Sequence, residues 1–125
     1  MNTNRTGHYE AMFLIGAESA QANWEKVEAC IRELIEKRGG KIRLASKWEE
    51  RKLAFPVKRQ TRGVYFLVYF ELPRRELATL RRDFQLSEHV LRTQFLAHEI
   101  APDYDTLPAK QAAKQELIRK AVEER

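Results

Sequence analysis

A single cysteine, Cys30, is the only thiol among 125 residues. No internal disulfide can form, so a reducing compartment is expected. The three histidines, His8, His89 and His98, are far apart in sequence and include no close-spaced ligand pair. No metal-site pattern results. No glycine-rich phosphate loop occurs, and no apolar run approaches the length needed to span a bilayer. The stretch from Met1 to Gly7 is polar and lacks the apolar core of a secretory signal. Internal repeats and low-complexity tracts are also missing. These absences lead us to expect a soluble cytoplasmic protein with no membrane contact, cofactor, metal or small-molecule substrate.

Hydrophobic residues make up 43% of the chain and charged residues 33%. That balance suits one globular domain with a highly charged surface, large enough to bury a core without covalent staples. The formal net charge is +5, and its placement is uneven. Between Lys41 and Arg62 stand eight basic residues, opposed only by Glu49 and Glu50. Elsewhere acids and bases nearly balance. A concentrated positive field of this kind attracts polyanions.

Hydrophobic periodicity outlines the elements. A first strand is expected from His8 to Ile15. A helix should follow from near Ser19 to Arg38, with Trp24, Val27, Ile31 and Leu34 at three- and four-residue steps and Gly39 and Gly40 closing it. A second strand runs from Lys41 to Val57. Ile42 and Leu44 should point one way, and Lys41, Arg43 and Lys47 the other. Pro56 lacks a ladder donor, which places this strand at a sheet edge. Lys58 to Gly63 reads as a mobile basic loop. The third strand spans Val64 to Leu72. Pro73 opens a second helix whose inward stripe is Leu77, Leu80 and Phe84, with Arg74, Arg75, Arg81 and Arg82 facing mostly away. A fourth strand covers about His89 to Ala97.

The order β-α-β-β-α-β defines an α+β, ferredoxin-like split βαβ fold. It implies a four-stranded antiparallel sheet with two helices on one face. The domain is expected over residues 8–98, followed by a C-terminal tail over 99–125. Pro108 and the alanine, lysine, glutamine and glutamate after it favour a helix there. Leu117 with Ala121, and Ile118 with Val122, would give that helix a thin apolar edge.

Catalytic chemistry needs convergent nucleophiles, acids, bases or metals, and none converges. Cys30 sits beside the inward stripe of the first helix, as a small packing residue would. Acylphosphatases share the topology, but Gly16-Ala17-Glu18-Ser19 provides neither their glycine-rich loop nor their anion-holding arginine. A non-enzyme is expected. In the third strand, Val64, Phe66, Val68 and Phe70 form one face and Tyr65, Leu67, Tyr69 and Glu71 the other. The second face is too apolar for open solvent. A binding partner is favoured over cover by the chain's own tail, with Tyr65, Leu67 and Tyr69 as its contacts.

Arg62-Gly63-Val64-Tyr65-Phe66-Leu67-Val68-Tyr69 resembles the strand-three octapeptide of RNA-recognition motifs. Val64, however, stands where a base-stacking aromatic belongs. A fuller resemblance covers His8 to Ala97. Tyr9-Glu10 opens the first strand; Trp48 is followed by Arg51-Lys52-Leu53-Ala54-Phe55-Pro56-Val57. Gly63 precedes an aromatic strand, Pro73 follows it, and Val90-Leu91-Arg92 lies in the fourth strand. In this combination the chain resembles bacterial small-subunit ribosomal protein six, the S-six family. The resemblance implies a structural constituent of the small ribosomal subunit. Its implied partners are the central domain of small-subunit rRNA and ribosomal protein eighteen, the latter suited to the apolar second face. It implies RNA contact at Arg51 and Arg92, where a planar guanidinium fork can hold phosphate oxygens. Charge and location add Arg43, Lys47, Lys52, Lys58, Arg59 and Arg62. Glu49 and Glu50 stand where the family carries glycine or a basic residue. The alternative reading is a protein-interaction module with the same fold and no nucleic acid.

Overall fold

Alternating apolar residues place Tyr9, Ala11, Phe13 and Ile15 on one face of strand β1 (Thr6–Gly16), and all four are buried. The computed structural model describes residues 5–123, without the side chains at 114, 115 and 118–123. β1 is followed by helices α1 (Ala17–Ala22) and α2 (Trp24–Lys37), then by strands β2 (Lys41–Val57) and β3 (Gln60–Pro73). A 3-10 turn at Arg74–Glu76 leads into helix α3 (Leu77–Gln85), strand β4 (Val90–His98) and helix α4 (Leu107–Glu123).

The expected single first helix is two. Asn23 adopts φ −165° and ψ 88°, outside helical space, and its side chain accepts a hydrogen bond from the Lys26 amide at 3.1 Å. Asparagine satisfies orphan amides at a helix start well enough to restart the helix there. At the far end Gly39 takes φ +85°, where a side chain would be strained. Pro73 closes β3 rather than opening the second helix, because the 3-10 turn intervenes.

The sheet is antiparallel, in the order β2-β3-β1-β4. β1 pairs with β3 without interruption from Thr6–Pro73 to Gly16–Gly63. On one face the β1 and β3 residues meet Val27, Ile31 and Ile35 of α2 and Leu80 and Phe84 of α3 in a continuous core. Phe13 lies at its centre, 4.6 Å from the Phe84 ring and 6.4 Å from Phe66. This is the ferredoxin-like split βαβ arrangement. It leaves the second face of the sheet and the long β2–β3 hairpin to do something else.

Candidate nucleic-acid interface

β2 is an edge strand, as Pro56 requires, and its pairing with β3 slips three times. Ile42 lies opposite Phe70, yet Leu44 lies opposite Tyr69. The extra residue is Arg43, a bulge that flips the alternation. Ile42 therefore joins the helix-side core while Leu44 packs on the other face, contrary to the expected shared orientation. The same slip separates Lys47 from Arg43. Lys47 lies opposite Phe66 and holds its ammonium 4.6 Å from the centre of the Trp24 ring, on the helix side. Arg43 stays on the other face, 3.7 Å from the Glu71 carboxylate and 4.8 Å above the Tyr104 ring.

Beyond Gly63 the hairpin continues past the end of β1. The expected mobile loop from Lys58 to Gly63 is a two-residue turn instead, with Val57 paired to Gln60. Lys58 and Arg59 form it at φ 47° and 70°. Left-handed conformations at both positions match the twist of paired strands, so the turn closes without a longer loop. Between Lys52 and Val57 the ladder lapses around Pro56, and Phe55 is 66% exposed. Arg51 lies opposite Gly63 and Lys52 opposite Arg62. A side chain at Gly63 would meet the Leu14 methyl at 2.7 Å and the Ile15 carbonyl at 3.0 Å, which is why glycine stands at this crossing.

Glu50 changes the charge pattern. Its carboxylate accepts from Arg62 Nε at 2.8 Å and from the Gln21 amide at 2.6 Å. Those bonds, Arg62 first, hold its pKa below the usual carboxylate range. Arg62 is thus occupied within the chain. At the hairpin tip the arrangement differs. Lys58, Arg92 of β4 and Arg81 of α3 line one recess of about 340 Å³. No carboxylate lines it. The hairpin thereby joins two cations expected to bind RNA, from distant parts of the sequence. It adds a third, Arg81, read from sequence only as an outward helix charge.

The second sheet face is covered in part by the chain itself. Trp48, Leu67 and Tyr69 are buried there beneath Tyr104 and Leu107. Tyr104 stands edge-on to Tyr69 at 6.4 Å, and Gln111 of α4 is buried. Burial, with the Glu10 carboxylate next, pushes the Tyr69 hydroxyl up to about 12. Leu67 and Tyr69, expected to meet an outside partner, are 1% and 6% exposed and meet the tail. Tyr104, Leu107 and Gln111 are too sparse to register as an apolar stripe in the sequence. Tyr65 is only partly covered, and lines a shallow recess with Met12, Leu14, Arg92 and Gln94. Leu117 is exposed, while the side chains of Ile118, Ala121 and Val122 lie outside the described residues.

Residues 8–97 match the family of ribosomal protein S6. The chain belongs to the ribosomal protein S6 family. It is 33% identical over 84 residues to the small ribosomal subunit protein bS6 of Rhodopirellula baltica, covering 67% of this chain and 60% of that one. The corresponding protein of Campylobacter curvus is 30% identical over 92 residues, 74% of this chain and 65% of the relative. The chain thus spans less than two thirds of the length of these two curated relatives. The crystal structure of 30S ribosomal protein S6 from Thermotoga maritima has the same fold, with a TM-score of 0.67 and 23% identity over 88% of this chain and 99% of that one.

Membership of the S6 family gives the Trp48 to Val57 run a structural meaning. Trp48 anchors β2 to the second sheet face, and Arg51 to Val57 form the outward strand of the hairpin. Among the described residues no group of three or more His, Cys, Asp or Glu could hold a metal ion. No described helix is long and apolar enough to cross a membrane.

Proposed function

We propose that this S6-family chain is a structural, ribosome-associated constituent of the small ribosomal subunit. It binds the central domain of small-subunit rRNA together with ribosomal protein eighteen. Family membership over residues 8–97 is the observation that carries this reading. The relatives' description as small ribosomal subunit proteins supports it. Lys58, Arg59 and Arg92, with Arg51 and Lys52 along the hairpin, form the RNA side. Arg43, Lys47 and Arg62 are held by Tyr104, Trp24 and Glu50 and contribute field more than direct contacts. Protein eighteen meets the part of the second sheet face that the tail leaves open, around Tyr65.

Binding of a central-domain rRNA fragment across salt concentrations tests the reading. Log affinity should fall against log salt with a slope of roughly −0.7 to −0.9 per neutralised phosphate. Arg51→Glu should weaken binding with the circular dichroism of the fold unchanged. Tyr65→Ala should weaken association with protein eighteen more than RNA binding by the isolated chain. Absent or salt-insensitive RNA binding, even with protein eighteen present, overturns the proposal.

A further inference from the structure

The recess at the hairpin tip has a composition that a general basic surface does not need. Lys58, Arg81 and Arg92, from a turn, a helix and an edge strand, line it with no acidic residue among the lining residues. None of the three enters an ion pair among the described residues. Three like charges gathered without a counterion repel one another, and an anion between them relieves that repulsion. The floor is apolar, made by buried Phe84 and Val90, while Gln85 and Thr93 bring an amide and a hydroxyl to the wall. A floor of this kind gives nothing to a phosphate but suits a ring.

Arg81 adds the decisive geometry. Its guanidinium carbon lies 5.3 Å from the centre of the Phe95 ring. The ring attracts the cation to this side of α3, and the flat guanidinium can take a second planar group on its face. Unpaired RNA bases are held by this kind of stacking, whereas bases inside an A-form duplex are beyond a side chain's reach. At about 340 Å³ the recess lies at the small end of ligand sites, which run from roughly 300 to 1,000 Å³. One nucleotide fits that size; a longer strand does not.

We infer that this recess receives a single unpaired nucleotide of the bound RNA. Lys58 and Arg92 take its phosphate, the Arg81 guanidinium stacks on its base, and Gln85 and Thr93 face the base edge. The inference rests on the RNA-binding reading and refines it: the hairpin tip reads one extruded base as well as backbone charge.

Chemical probing of base edges in a central-domain rRNA fragment, with the full chain bound, tests it. Wild-type protein should protect one unpaired nucleotide that Arg81→Ala leaves reactive, with the other protections intact at saturating protein. Affinity should fall on the order of tenfold, as loss of one stacked base does. Arg81→Lys keeps the charge without the plane and should behave like Arg81→Ala. Thr93→Val, which leaves the stacking pair in place, should weaken protection of the same nucleotide only. If Arg81→Ala weakens all protections equally, or none, or if Arg81→Lys matches wild type, the recess supplies charge alone and the inference falls while the RNA reading stands. If wild-type protein does not bind the fragment, both fall.

Discussion

Lys58 and Arg59 occupy backbone conformations that asparagine and glycine fill more cheaply. A non-glycine residue there costs roughly 1–2 kcal/mol. Arg59→Gly should therefore stabilise the domain by about 1 kcal/mol in denaturant unfolding while weakening RNA binding. A fall in stability would show that the Arg59 side chain holds the turn. Glu50 poses the opposite case. It pairs with Arg62 inside the chain, offsetting the like charge of Lys52 opposite Arg62 across the strands. Glu50→Gln should release Arg62 and steepen the salt dependence of RNA binding by about one phosphate, a slope change of roughly 0.7–0.9. The pH dependence has a defined sign. With its pKa held down in the fold, Glu50 favours the folded state above the ordinary carboxylate range, and that contribution disappears as pH falls through its lowered value. Acid should therefore mimic the substitution.

The tail contact is the element with the clearest pH signature. Tyr69 ionises near 10 in an unfolded chain and at about 12 here, chiefly because Tyr104 and its neighbours bury it. The neutral hydroxyl thus favours the folded state fully below pH 10, and this is lost as pH rises from 10 towards 12. Phenolate absorbance should show Tyr69 titrating late, and Tyr69→Phe should remove that part of the alkaline loss of stability. Elements with strong periodicity were legible in the sequence: the β1 alternation, the Leu80–Phe84 stripe, the edge position forced by Pro56. Single-residue events were not. A bulge at Arg43, a cap at Asn23 and a two-residue turn at Lys58–Arg59 each depend on one backbone conformation, which hydrophobic pattern does not encode. Cover of the second face by the tail is hard to read for another reason, since three separated residues leave no periodic trace. The family resemblance marked Arg51 and Arg92, but only folding showed that Arg92 shares a recess with Lys58 and Arg81.

At the scale of the whole molecule, one sheet supports two different surfaces. Its helix side carries the core, and its second face is divided between the tail and an open region around Tyr65. The basic hairpin projects from one end of both, and Arg92 lines both the recess at its tip and the one around Tyr65. The long edge of β2 has a further consequence. Seventeen residues of edge strand would ordinarily offer unpaired amides and carbonyls to a strand from another molecule. Here the bulge at Arg43, the slip after Lys47, Pro56 and the flanking cations break that row into short, twisted, charged pieces. Pro56→Val should restore a longer docking edge and raise light scattering on concentration at neutral pH; unchanged scattering would assign the protection to the bulges and charges. The irregularities that make β2 hard to read from sequence also deny a second chain a continuous edge to pair with.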